Sequence, residues 1–146
     1  MDLPPGCRLS VEDRPAPAVR NRLPRELAKF NRQFLDKPEF QRLGIFVRDA
    51  HDDILAGLAG YTYAGWLFVE NLWVSEAMRR RGIGREMMAK SEQQARERGC
   101  HSAYLDTFSF QAPDFYQKLG YVVFGTLDYP PNHKRFFLQK RLAAEV

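Results

Sequence analysis

Apolar positions change period several times along the chain, and each change marks a structural element. Leu27, Phe30 and Phe34 recur at helical spacing and predict a helix over residues 24–35, with Pro24 tolerated in its first turn. Pro38 interrupts that pattern, leaving room for a short second helical turn before Leu43. Three apolar runs follow, at 43–48, 54–63 and 66–75, and their Ile, Val, Tyr, Thr and Trp content suits strands. The connectors, 49–53 and Ala64-Gly65, are short and polar or glycine-containing, so the runs fold as an antiparallel meander. After Ser75 the period becomes helical. Ile83, Gly84, Met87, Met88, Ser91 and Ala95 share one face, while Glu86/Lys90 and Glu92/Arg96 form supporting four-apart pairs. This helix covers 83–98 and stops at Gly99. A strand at 103–109, a short helix at 113–118 ended by Gly120, and strands at 121–127 and 136–140 complete the pattern. The start, with Pro4, Pro5, Pro15 and Pro17, reads as irregular chain around a short strand at 8–11. A strand, helix, strand unit within a hairpin-rich chain predicts an α/β fold. Its central sheet is mixed, mostly antiparallel, with six to seven strands flanked by helices.

A chain of 146 residues fits a single domain running from 1 to 146, and 45% hydrophobic content is enough to offset chain entropy. Cys7 and Cys100 lie far apart, without Cys or His neighbours at zinc-ligand spacing. Neither a disulfide framework nor a metal site is signalled, and a reducing cytoplasm is the simplest setting. The opening Met-Asp-Leu-Pro-Pro-Gly has no basic or apolar leader, and the longest uncharged stretch, 54–69, is too short and glycine-rich to span a bilayer. No membrane partner is expected.

Charge is where the composition becomes informative. The net charge of +4 comes from 22 basic and 18 acidic residues, and removing Arg79, Arg80, Arg81 and Arg85 leaves 18 against 18. The whole excess can therefore sit in one seven-residue window, where a clustered field focuses an anion. That window is Arg79-Arg80-Arg81-Gly82-Ile83-Gly84-Arg85, between an apolar strand and the long helix. A helix that begins after a glycine turn presents unpaired N–H groups and the positive end of its dipole, which together suit phosphate oxygens. Glycine at 82 and 84 lets the backbone approach a diphosphate, and the arginines add forked donors. The dinucleotide fingerprint and the GxxxxGK[ST] loop are both absent.

Two motifs in this order resemble the GNAT family of N-acetyltransferases. Arg79-x-x-Gly82-x-Gly84 matches that family's acetyl-CoA pyrophosphate signature, preceded as there by an apolar strand, here Leu72-Trp73-Val74. Downstream, the segment Ala112-Pro-Asp-Phe115-Tyr116-Gln-Lys118-Leu119-Gly120-Tyr121 is similar to the family's A-x-x-F-Y-x-K-x-G-F run. The resemblance covers most of the chain and implies the acyl-CoA N-acyltransferase fold, acetyl-CoA as co-substrate, and transfer of an acetyl group to a small-molecule primary amine. It further implies that the backbone of Arg80, Arg81, Gly82, Ile83 and Gly84, with Arg79 and Arg85, holds the diphosphate. The pantetheine arm would then lie along Leu72, Trp73 and Val74. Tyr116 falls where the family places its general acid, a suitable task for a phenol that protonates a departing thiolate. Where the family often has Asn seven residues before that tyrosine, this chain has Ser109, which could hydrogen-bond the pantetheine with shorter reach. A homodimer with C-terminal strands pairing between subunits is one assembly raised by the same analogy.

A base must also accept the ammonium proton. Strand alternation puts Glu70 on one face with Leu72 and Val74, in apolar surroundings that suit a base near neutrality; Asp106 on the next strand is a second candidate. The helix at 24–35 and the loop at 128–134 are expected to border the acceptor. His51, His101 and His133 have no partner spacing for metal or triad chemistry, and Trp66, Trp73, Phe108 and Phe110 read as core or as pocket lining. Two other acylation readings remain open: an acyl-CoA-binding sensor without turnover, and transfer to peptide or protein amines. A nucleic-acid contact ranks last, because no recognised motif accompanies the basic cluster.

Overall fold

The computed structural model describes residues 1–36 and 38–142. The chain divides into two compact units, Met1–Leu35 and a second that begins at Asp36.

The first unit is built on helix α1, Pro17–Asn31. Its start corrects the expected boundary by a full two turns. Pro17, not Pro24, occupies the first turn, and the Ala16 carbonyl accepts the opening bonds from Val19 and Arg20 at 2.9 and 3.0 Å. Pro24 is carried inside the helix, and Phe34 and Leu35 lie beyond its end. Residues 8–11 form no strand, since every one of them is exposed and none is paired to a neighbouring strand.

The second unit is a six-stranded sheet in the order β1-β2-β3-β4-β6-β5. The strands are β1 (Gln41–Arg48), β2 (Ile54–Tyr63), β3 (Trp66–Val74), β4 (Ser102–Phe108), β5 (Val122–Tyr129) and β6 (His133–Arg141). The short helical turn expected before Leu43 does not form, because residues 38–40 lead directly into β1. Every neighbouring pair is antiparallel except β3 with β4. That parallel pair requires a crossover, supplied by helix α2 (Ile83–Glu97). A short helix, α3 (Pro113–Lys118), follows β4. The last hairpin is tighter than expected: Asp128 and Lys134 pair across β5 and β6, so the turn shrinks to residues 130–132. Among the described residues no helix is long and apolar enough to cross a membrane.

The core lies on the α2 face of the sheet. Met87, Met88 and Ala95 of α2 join Ala56 and Leu58 of β2, Leu67 and Val69 of β3, and Ala103 and Leu105 of β4. Arg98, just past α2, ties the helix to the far strands by donating to the Gln41 carbonyl at 3.2 Å, Thr62 Oγ1 at 3.1 Å and the Arg42 carbonyl at 3.3 Å.

Glu92 departs from the surface role its spacing to Arg96 suggests. It is 4% exposed, accepts from Lys140 Nζ at 2.6 Å and from the Tyr121 hydroxyl at 3.1 Å, and keeps Arg96 at 3.9 Å. Burial of a carboxylate requires this number of partners. Glu92→Ala strands Lys140 and the Tyr121 hydroxyl, and is expected to cost about 3 kcal/mol, read from the urea midpoint. A loss below about 0.5 kcal/mol would show the contact to be no better than a surface pair.

Candidate active site

The site begins at an irregularity in β3. Ala59 pairs with Asn71 and Gly60 with Val69, so Glu70 is an extra residue without a cross-strand partner. Glycine is required opposite it, because a Cβ at Gly60 would run into the Phe68 carbonyl. The bulge coincides with the end of the parallel ladder. β3 and β4 pair from Trp66↔Ser102 to Val69↔Leu105, and among the described residues no pair follows. Beyond that point β3 runs on to Val74 and β4 to Phe108, and the diverging strands enclose a cleft of about 1050 Å³. Residues 70–74 thus carry an edge towards the cleft that no strand occupies.

The bulge also overturns the expected placement of Glu70. Leu72 and Val74 pair with the buried Leu58 and Ala56 and continue the core face. The Glu70 carboxylate instead meets Arg42 at 3.7 Å, and Arg42 sits beside Tyr61 and Phe68 on the opposite face. Glu70 is therefore exposed rather than enclosed by apolar neighbours. Asp106 lies on that face too, two residues beyond Tyr104, whose ring stacks on Phe68 at 4.6 Å. The cleft is therefore lined from both faces of the sheet, by the loop before α2 on one side and by Glu70 and Asp106 on the other.

On the α2 side the lining comprises Arg79, Arg80, Gly82, Ile83, Gly84 and Arg85. The loop enters after a 3-10 turn, Glu76–Met78, and is bent by left-handed residues at Arg80 (φ 64°) and Gly82 (φ 77°). The first helical bond of α2 runs from Glu86 N–H to the Gly82 carbonyl at 3.0 Å, so the amides of residues 82–85 have no intrahelical acceptor. A Cβ on Gly82 would meet nothing within 4 Å, and one on Gly84 would approach Phe115 Cζ at 3.4 Å. The turn is open, not plugged. Arg79 Nε donates to the Val74 carbonyl at 3.1 Å, anchoring the loop to the end of β3. Among the described residues Arg79, Arg80, Arg81 and Arg85 have no carboxylate partner within 4.0 Å. Arg81 is the one member of the cluster that does not line the cleft.

Tyr116 projects from α3 into the cleft, held edge-on by Phe115 at 5.1 Å and Tyr121 at 6.2 Å. Burial, with a smaller contribution from the Asp106 charge, pushes its hydroxyl up to about 12. This raises it above the ordinary phenol value on which its expected acid role rests. Ser109 does not reach the cleft, since its Oγ accepts from Lys134 N–H at 3.0 Å. Gln111 is brought in instead: its Oε1 accepts from Phe108 N–H at 2.8 Å and Thr107 Oγ1 at 3.2 Å, closing the end of β4. Phe110, a residue the sequence left between core and lining roles, also lines the cleft while remaining 63% exposed.

A family model for the acetyltransferase (GNAT) family matches residues 9–121. The chain belongs to the GNAT acetyltransferase family. It is 37% identical over 101 residues to an acetyltransferase of Agrobacterium fabrum, an alignment covering 69% of this chain and 74% of that one. It is 39% identical over 92 residues to a blasticidin-S acetyltransferase of Streptomyces morookaense, covering 62% and 68%. The crystal structure of a candidate acetyltransferase from Agrobacterium tumefaciens superimposes with a TM-score of 0.85 at 30% identity, covering 92% of this chain and 99% of that one. This GNAT chain is accordingly an N-acetyltransferase with the family's mixed, mostly antiparallel sheet.

Two of its tyrosines set an alkaline limit on folding. Burial pushes the hydroxyls of Tyr116 and Tyr104 up to about 12, against about 10 in an unfolded chain. A raised folded value favours the neutral phenol, so this stability is complete below about pH 10 and drains away as the pH climbs towards 12. The urea midpoint is expected to be level from pH 7 to 9 and to fall above pH 10, less steeply in Tyr116→Phe. A midpoint unchanged at pH 11 would contradict the burial assigned to these hydroxyls.

Proposed function

We propose that this GNAT enzyme transfers an acetyl group from acetyl-CoA to the primary amine of a small molecule. The carrying observation is that the parted β3 and β4 open directly onto the exposed amides where α2 begins. Diphosphate oxygens would meet the amides at the start of α2, with Arg79, Arg80 and Arg85 supplying charge that no protein carboxylate neutralises. The unoccupied edge at Leu72, Trp73 and Val74 suits the pantetheine amides, which would add to it as a further strand does. The open space at Gly82 fits a cradle for a bulky anion. A Bacillus anthracis protein of the same fold, 19% identical with a TM-score of 0.59, is known in complex with acetyl coenzyme A. One relative is named for the small molecule blasticidin S.

The acceptor arrives as an ammonium and loses a proton before attack. Glu70 is the favoured base, directly or through water, because Asp106 is already committed to Arg135 by contacts of 3.0 and 2.9 Å. The amine nitrogen attacks the thioester carbonyl carbon, the C–N bond forms and the C–S bond breaks, and the second nitrogen proton, made strongly acidic by the new C–N bond, passes to water. Acetylated amine and coenzyme A thiolate leave. Tyr116 stays protonated at neutral pH and points a donor at the departing sulfur. A phenol pushed up to about 12 is a weaker acid than a thiol, so the hydroxyl acts chiefly by hydrogen bonding as charge builds on sulfur.

Two substitutions separate binding from turnover. Gly82→Trp is expected to abolish acetyl-CoA binding by calorimetry while lowering stability by about 1–2 kcal/mol, the cost of a side chain in a left-handed residue. Intact affinity would mean that the diphosphate docks elsewhere. Tyr116→Phe is expected to leave the acetyl-CoA Kd unchanged and to reduce thiol release about 100-fold. An unaltered kcat would reduce Tyr116 to packing under Tyr121.

A further inference from the structure

The mouth on the face away from α2 carries a feature that amine transfer does not itself require. Phe110 is 63% exposed, yet its ring is fixed on two sides: stacked on Phe108 at 5.1 Å and 17°, and edge-on to His133 at 5.0 Å. Phe108 in turn is braced edge-on by Tyr129 at 4.9 Å and capped by the Arg135 guanidinium at 5.8 Å. An immobilised ring with an open side at the edge of a cleft is a stacking platform whose ordering cost has been met before a ligand arrives. The charges beside it are unequal. Asp106 is engaged by Arg135, which also donates to the Tyr129 hydroxyl at 3.3 Å, whereas Glu70 has a 3.7 Å contact to an Arg42 side chain that is 75% exposed. An exposed pair of that kind is worth little and yields readily to a ligand cation. The phosphate-binding loop lies on the α2 side, which leaves this mouth to the acceptor.

We propose that the acceptor is an alkylamine carried on a short arm from a planar unsaturated ring, its ammonium at Glu70 and its ring stacked on Phe110. The assignment rests on the acetyl-transfer reading for its chemistry and on the aromatic platform for its substrate class. Stacking differs from general apolar burial in its preference for flat rings, and that difference provides the test. Benzylamine and phenethylamine are each compared with their cyclohexyl counterparts, cyclohexylmethylamine and 2-cyclohexylethylamine. The saturated partners keep the ammonium and are the more apolar, so a merely hydrophobic mouth favours them.

Two readouts are taken: thiol release from acetyl-CoA, and calorimetric binding of each amine to the intact protein. The flat amine of at least one pair is expected to bind about fivefold tighter and to show the larger kcat/KM. In Phe110→Ala that ratio falls to about one, with the acetyl-CoA Kd unchanged. Glu70→Gln weakens both members of a pair alike. Equal or inverted preference in the wild-type protein, or a preference that survives Phe110→Ala, overturns the inference. If the flat amines bind preferentially through Phe110 while no amine yields thiol, the substrate class stands and acetyl transfer falls. Thiol release without ring preference leaves acetyl transfer standing and overturns the substrate class.

Discussion

The site depends on a single mismatch between neighbouring strands. β2 offers one residue, between Ala59 and Gly60, fewer than β3 needs, and Glu70 is left without a partner. A bulge bends and over-twists the strand that contains it, and here the bend falls at the last rung of the parallel ladder with β4. Had the register continued, the backbone groups of 71–74 would be spent on β4 and the sheet would close. Because it does not, the same residues present a strand edge into a cavity bounded on one side by α2. The close approach of the Phe68 carbonyl to Gly60 makes this irregularity intolerant of a side chain at that position, so the opening is written into β2 as much as β3.

Electrostatics divide the cleft along the sheet plane. On the α2 side stand Arg79, Arg80 and Arg85, which among the described residues have no carboxylate partner, and a helix start whose amides have no intrahelical acceptor; on the other, Glu70 and Asp106 each have an arginine. Positive potential that the protein leaves unbalanced is a standing cost unless an anion offsets it, whereas paired charges on the opposite mouth cost little until a ligand competes. The arrangement favours a strongly anionic molecule from one side and a cation exchanging with a loose ion pair from the other.

Much of this was legible in the chain, for identifiable reasons. β2, β3, α2 and α3 announce themselves because their periods are strong and their ends are marked by glycine or proline. The start of α1 was not, since Pro17 and Pro24 both satisfy a first turn and no cap distinguishes them. Glu92 was readable as buried: it stands four residues after Met88 and three before Ala95, on the core face. Its four-apart spacing to Arg96 masks that placement. The position of Glu70 was beyond reach, because alternation fixes a face only while the ladder stays regular, and the irregularity depends on the pairing with β2. Ser109 was out of reach for a related reason: whether it turns to the cleft depends on Lys134 of β6, whose N–H donates to its hydroxyl, a tertiary fact. Gln111 carried no signal of its own in the sequence.

Tyr116 shows how the same packing constrains chemistry. The hydroxyl is raised because α3 buries it against Phe115 and Tyr121 and because Asp106 faces it through the cleft. If the enzyme needed a strong proton donor, this would be a poor environment, and relief could come from moving Asp106 away. Arg135 fixes Asp106 in place and offsets part of its charge, so burial remains the main reason that the phenol stays neutral. In the proposed reaction a phenol that keeps its proton needs no reprotonation between turnovers and stabilises the departing sulfur by hydrogen bonding. The proton balance then falls on the opposite mouth, where an exposed carboxylate on a bulged strand can take the ammonium proton and pass it to water. On this reading the hydrogen-bond donor and the proton acceptor stand on opposite sides of the parted sheet, with the reacting carbon between them.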